Sequence, residues 1–571
     1  MSKKHKIRKK ANKTDLVNPH IKAPTANSAY SKLANFKNKD QLLSYIALGI
    51  ILLLITLIRI NFLTIPFERD EGAYAYSGKI ILDGAKTFID IGSQRLDGVF
   101  YAYSFLIFLF GYSIKALHIA FLFVNLGSAI MLYVLMRKFA NNLTGIATSA
   151  FFAILSMSPD ASGFTIQSEH LVAFSVIGAF LSLIYFFDSK KIWQLVIAGI
   201  LFSIAFQIKQ TSFFYGLFAG LLILFKGFFV DKYSFRKNIL TILIFSLSVL
   251  LPIFFDLLII YKNGAWSDFK LWFFDIRNQY SSIISFSEGL KYLKGSFSSI
   301  YKYYNFFWII SFLGTVVVFF SSMPVWKKIT IAGLNIAGFL TIVPGNHYYG
   351  HYFLQWIPAV SICGAIFIYT VQDLLKKWFK LNLLPVFISI AIIILSVASN
   401  LNSLKTYYFN PDHTQILRAV YGLNPFPESK VIADKLNSMM KPEDRIAVFG
   451  TEIQMYVYTN RKSPSRFAGS GALLEFPVKQ SNDWQKEFIS DVEKANPRFL
   501  VFFSHPISWM ANPKTENLIF PWFDKFSSEK YKLIGYADMY DSNTNYVWEP
   551  NPDLINKPAK SNYKIYIFER K

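Results

Sequence analysis

Asp70 and Glu71 stand side by side in FERDEGAYAYSGKIILDG, directly after the first long apolar segment and Pro66. Carboxylates at a membrane exit can meet a ligand anchored in lipid and a partner arriving from water. A carboxylate within reach of a hydroxyl can take its proton as the oxygen attacks. The residues after the pair are expected to form a short surface helix, with Tyr74 one turn beyond Asp70. The bland alternative for both acids is the polar end of a helix.

Further acids are Asp90 and Asp97 in the same loop, and Glu169 in GFTIQSEHL at the start of a later apolar run. An ionisable group at such a depth is costly and therefore more often functional than one on a soluble surface. Lys209 sits between two apolar runs, where it can pair with a phosphate or an acid, or simply snorkel. In PGNHYYGHY (344–352), His347, Tyr348, His351 and Tyr352 have groups that hydrogen-bond sugar or phosphate. The two histidines lie four apart but without an HExxH frame, so no cofactor is called for and a divalent cation is left open. The segment 261–301 mixes Trp266, Asp268, Trp272, Asp275 and Arg277, a composition suited to lying at an interface over a lipid headgroup. No GxGxxG occurs at a strand–helix junction and no GxxxxGK[ST] in a cytoplasmic domain, which disfavours nucleotide hydrolysis.

The elements that must carry these residues follow from composition. The chain has 571 residues, 53% of them hydrophobic, with mean hydropathy +0.33. Apolar runs of helix-spanning length recur throughout, so a polytopic α-helical membrane protein is expected. Spans are read at 42–65, 116–136, 143–159, 169–188, 193–208, 211–226, 239–260, 302–320, 329–344, 352–372 and 383–399, eleven in all. The segment 99–114 is apolar but short. If it lies along the membrane without crossing, Arg137/Lys138, Lys190/Lys191, Lys226 to Arg236, Lys327/Lys328 and Lys376 to Lys380 all fall on the N-terminal side, as positive-inside bias favours. That parity places the N-terminus inside the cell and the last 170 residues outside.

The net charge of +23 therefore reads as membrane-flanking basic loops and not as nucleic-acid binding. Residues 1–41 form a basic tail, with eleven Lys/Arg against two Asp in the first 40 residues. Residues 42–400 form the membrane domain. Residues 401–571 are expected to fold as a small extracytoplasmic α/β domain, with strands at 445–450, 498–503 and 563–568 and a helix entered through NPFPESK (424–430). The single cysteine, Cys363, lies in an apolar run and forms no internal disulfide.

ERDEGAYAY at 68–76, GFTIQSEHL at 163–171, IKQ at 208–210 and GHYFLQWIP at 350–358 together resemble the polyprenyl-phosphate-dependent GT-C glycosyltransferases. The likeness is to the bacterial glycosyltransferase family 39-like group of protein mannosyltransferases and lipid A aminoarabinose transferases, over about residues 42–400. It implies a GT-C-like bundle in the bacterial cytoplasmic membrane and inverting transfer of a sugar from a polyprenyl-phosphate donor to an envelope lipid, glycan or protein acceptor. It also implies Asp70 as catalytic base activating an acceptor hydroxyl, Glu71 as a catalytic-site residue positioning acceptor or sugar, and Lys209 as the donor-phosphate ligand. Tyr74, Asp90, Asp97, Glu169, Arg277, His347, Tyr348, His351 and Tyr352 are then substrate-binding candidates. Membrane lipids are partners, nucleic acid is not, and the sequence sets no oligomeric state. Many relatives have a histidine/lysine-proline-proline segment after the first-loop aspartate, where this chain has SQRLDGVFYAY (93–103). The alternative is a transporter or flippase for a polyprenyl-linked lipid or glycan; a lipid-linked glycan polymerase or ligase is a further enzymatic reading.

Overall fold

The structure is a computed structural model that describes residues 26–380, 383–540, 543–549, 561 and 563–571, with side chains from residue 39 onward except at Ala472. Residues 1–25 of the expected basic tail fall outside the described residues. The first helices are α1 (Ala26–Ile60), α2 (Arg69–Leu82), α3 (Gly98–Phe110), α4 (Ile114–Phe139), α5 (Asn142–Leu155), α6 (Ser168–Ser189), α7 (Ile192–Ile208), α8 (Phe213–Phe225) and α9 (Phe235–Lys262). Among the described residues eight helical segments are long and apolar enough to cross a membrane: Lys39–Ile60, α4, α6, Gln210–Val230, α9, Phe286–Phe320, Ile357–Phe379 and Leu384–Ser403. The other three expected spans are also helices, but α5, α7 and Val325–Leu340 have 14, 17 and 16 residues.

A helix is the form in which a single segment satisfies its own backbone in lipid, so the apolar runs become helices and their packing decides position. The most apolar windows of α6 and Ile357–Phe379 are each 72% buried and form the centre of the bundle, whereas that of α9 is 17% buried and peripheral. Leu247, Phe254, Phe387 and Leu395 point outward as a lipid-facing surface. α3 is thirteen residues long, packs on α2 through the Ser104 hydroxyl bonded to Gly78 O (2.9 Å), and presents Phe105, Phe108 and Leu109 outward.

Basic groups gather at the end of the bundle opposite α2. Lys138 pairs with Asp188 (2.6 Å), Lys190 and Lys226 both pair with Asp231 (2.5 and 2.7 Å), and Lys327 caps Phe139 O.

The chain ends in a domain with a five-stranded sheet of order β1-β2-β5-β3-β4. The strands are β1 (Ile446–Phe449), β2 (Phe499–Phe503), β3 (Tyr531–Tyr540), β4 (Asn543–Trp548) and β5 (Lys564–Arg570). β1 and β2 are parallel, linked through the helix Ser481–Ala495 as a parallel pair requires, and the other pairings are antiparallel. β1, β2 and β5 lie where the sequence places strands. β3 and β4 form an additional hairpin. The entry helix runs Phe426–Met439, with Pro427 and Glu428 in its first turn.

This domain grips α2 directly. Ser463 N donates to the Tyr76 hydroxyl (2.9 Å) and Phe67 N to the Tyr458 hydroxyl (2.6 Å). At Gly72 a Cβ would run into the Cα and Cβ of Gln454, so the missing side chain is what lets the two backbones approach. A second grip lies over 266–276, where Trp272 stacks in parallel on Trp484 (5.0 Å, 4°) and Arg466 bridges Glu487 and Asp268 (2.7 and 3.6 Å).

Candidate active site

α2 starts at Glu68 with a reciprocal cap: Glu68 Oε1 accepts from Glu71 N (2.8 Å) and Glu71 Oε2 accepts from Glu68 N (3.1 Å). Adjacent positions on a helix diverge by about 100°, so Asp70 and Glu71 cannot face the same way. Asp70 faces a cavity of about 1240 Å³ between the α2 end of the bundle and the C-terminal domain. Its side chain is 32% exposed, with Arg95 3.7 Å away and the Tyr74 hydroxyl donating at 3.4 Å.

Glu71 is fully buried on the other side of α2. Its Oε1 accepts from Ile166 N (2.6 Å) and lies 3.2 Å from His118 Nε2. The expectation that Glu71 shares the chemistry is therefore corrected: it fastens α2 to the 156–167 loop and does not line the cavity.

Asp90, His351 and Tyr352 line the same cavity as Asp70 and Tyr74. Asp90 also closes its own loop through Lys86 N (2.7 Å). Burial lowers the His351 pKa, and the nearby Glu169 charge only partly opposes this.

Six other candidates sit elsewhere. Asp97 is buried on the Thr87 hydroxyl (2.7 Å), and burial raises its pKa. Glu169 and Lys209 form a buried ion pair, with Lys209 3.6 Å above the Tyr352 ring centroid. Burial depresses the Lys209 pKa although Glu169 works against it. Lys209 is held in that pair and is not part of the cavity lining, although the Arg95 and Asp70 charges both reach it. His347 stacks on Tyr280 (4.3 Å, 16°), and Tyr348 is buried in the left-handed region (φ 44°), so neither lines the cavity. Arg277 lies over the Phe273 ring (4.9 Å) and lines a separate side groove of about 350 Å³ with Phe206, Phe213, Phe214 and Phe274.

The cavity also holds groups that the sequence reading did not select. Burial works against the Arg95 charge, but Asp70, Tyr352 and Glu169 outweigh it and its pKa rises, so the guanidinium beside Asp70 stays cationic. Its sequence signal was being the one basic residue between Lys86 and Gly98. Glu68 is pushed up to about 8, by burial first and then by the Asp70 and Glu71 charges. Its signal was the E-x-x-E capping pattern of ERDE. Tyr280, Tyr349 and, from the C-terminal domain, Arg466 and Glu475 complete the wall. Among the described residues no group of three or more His, Cys, Asp or Glu is placed to hold a metal ion.

No family model matches the sequence, and no curated protein matches it. Solved structures do match in fold. ArnT from Cupriavidus metallidurans bound to undecaprenyl phosphate is similar with a TM-score of 0.56 at 13% identity, over 89% of this chain and 98% of that one. The same protein in the apo state gives 0.52. The Archaeoglobus fulgidus oligosaccharyltransferase tethered with an acceptor peptide gives 0.50 at 12% identity, over 90% of this chain and 74% of that one. The chain thus shares the fold of these solved proteins, a polytopic α-helical bundle followed by a domain containing a β-sheet.

Proposed function

We propose that this protein is an inverting glycosyltransferase that moves a sugar from a polyprenyl-phosphate carrier to a hydroxyl of an envelope lipid, glycan or protein. The observation that carries the reading is the partly exposed Asp70 carboxylate in the large cavity with the Arg95 guanidinium 3.7 Å away. A base and a fixed cation side by side are what a displacement at an anomeric carbon with a phosphate leaving group needs. The likeness to the ArnT structure bound to undecaprenyl phosphate supports the donor class.

In the proposed step the acceptor oxygen attacks C1 of the donor sugar while Asp70 takes its proton. The C1–O bond to phosphate breaks, and the electron pair leaves on the polyprenyl phosphate. Arg95 meets that growing charge with a planar fork suited to phosphate oxygens, a task that Lys209, already paired, is not placed to do. Tyr74 positions the Asp70 carboxylate. The phenylalanine-lined groove at Arg277 offers an apolar path for the polyprenyl chain beside the cavity. One displacement inverts the anomeric centre, and a phosphate leaving group needs no separate acid, unlike the two-carboxylate chemistry of glycosidases.

The reading includes eleven crossings, with α5, α7 and Val325–Leu340 completing the count. Residues 42–400 are the catalytic membrane domain and 401–571 the extracytoplasmic one. The gathering of basic groups opposite α2 supports a site on the outer face of the bacterial cytoplasmic membrane.

The test is mass-spectrometric detection of sugar transfer from a panel of polyprenyl-phosphate sugars to lipid, glycan and peptide acceptors. Wild type is expected to give a covalent product, and Asp70→Asn to lose at least about a hundredfold in kcat, the usual scale for removing a general base. Donor movement across vesicles without a covalent product would mark a transporter instead.

A further inference from the structure

The wall of the cavity facing α2 from the C-terminal domain carries a carboxylate that the mechanism above does not use. Glu475 ends the short helix Ala472–Glu475 and is the one acidic residue this domain contributes to the cavity lining. Its segment is held rigidly: Leu474 O accepts from Asn512 N (2.8 Å), and Gly471 packs against Thr451 and Ser508 where a Cβ would not fit. Among the described residues the Glu475 carboxylate makes no hydrogen bond and no ion pair. Burial raises its pKa to about 7, with Arg69 lowering and Asp70 raising it. The Glu475 and Asp70 charges are both felt at the Tyr349 hydroxyl, so the three side chains share one region of the cavity. Tyr349 stacks in parallel beside His351 (5.8 Å, 13°) yet keeps 47% of its surface exposed.

A carboxylate repels a donor phosphate, and the charges that Glu475 feels are those of Arg69 and Asp70 and not of Arg95, so it suits the acceptor better than the donor. An acid able to hydrogen-bond, next to an open aromatic face, matches a sugar, whose hydroxyls donate to oxygen and whose C–H face lies on a ring. An extended peptide is recognised through a strand edge, and the 469–476 wall is turn and short helix. We infer that Glu475 and Tyr349 form an acceptor subsite for a carbohydrate, with Glu475 binding a hydroxyl of the acceptor sugar. The inference rests on the transferase reading and deepens it.

The experiment uses the full chain in nanodiscs, a panel of undecaprenyl-phosphate-linked sugars as donors, and a linear oligosaccharide and a serine-containing peptide as acceptors. Transfer to the oligosaccharide is expected. Glu475→Gln should raise the KM for that acceptor about tenfold, the scale of one charged hydrogen bond, with the donor KM unmoved. Glu475→Asp should recover part of the loss, and Tyr349→Ala should raise the acceptor KM where Tyr349→Phe does not. A role confined to folding would not separate the two KM values, and if Glu475→Gln does not fold the Tyr349 pair carries the test. Transfer to the peptide alone, an unchanged acceptor KM, or a raised donor KM would overturn the subsite while leaving the transferase standing. A folded wild type that makes no product with any acceptor would overturn both.

Discussion

Glu68 shows how burial at a single residue reaches the behaviour of the site. In the folded chain its carboxyl keeps a proton up to about pH 8, because burial and the Asp70 and Glu71 charges disfavour the anion, against an ordinary value of 4.5 in the unfolded chain. Between those values the folded state binds one proton more than the unfolded state, so this contribution to stability is fully present below 4.5 and declines as pH rises to about 8. The thermal midpoint in detergent should fall over that window for wild type and fall less for Glu68→Gln, which mimics the protonated acid. Residue by residue, the sequence singled out the stretch that carries Asp70 but not which of its side chains face the cavity. It placed Asp70 and Glu71 together at one site, whereas which of them faces the cavity depends on the way α2 is turned against the 156–167 loop. Lys209 looked free because its partner Glu169 lies forty residues earlier, on α6.

The decisive contact between elements is the bare backbone approach of α2 to Gln454. Gly72→Ala places a methyl where Gln454 Cα and Cβ already sit, and overpacking of this kind costs about 1–3 kcal/mol. The variant should melt at lower temperature and lose the proposed transferase activity together. Gly49→Ala, in α1 with open space around it, should be neutral or slightly stabilising, since alanine costs less helix entropy than glycine. The eleven apolar runs were legible as helices because in lipid hydropathy and backbone satisfaction point the same way. The β3–β4 hairpin was not. In β3, Lys532, Gly535 and Asp538 break the alternation that marks a half-buried strand, and burial there comes from β5 alongside. Glu475 likewise sits in GALLEF, a stretch with no motif, and becomes part of the site only when the C-terminal domain closes over α2.

For the whole molecule, orientation in the membrane is the property on which the reading depends. Cys363 is buried and is the only cysteine, so the native chain gives little background to a membrane-impermeant thiol reagent. Ser438→Cys, on the C-terminal domain, should be labelled on intact cells, whereas Lys191→Cys, at the basic end, should be labelled only after permeabilisation; the reverse pattern would turn the topology over. The bonds from Ser463 to Tyr76 and from Phe67 to Tyr458 close loops of 387 and 391 residues. Loops of that size close late, after the intervening bundle exists to bring their ends together. During synthesis, then, the helix bearing Asp70 leaves the ribosome nearly four hundred residues before the segments that complete its surroundings. A chain interrupted between the two carries Asp70 with half a wall around it, and on the proposed reading such a fragment is expected to be inert.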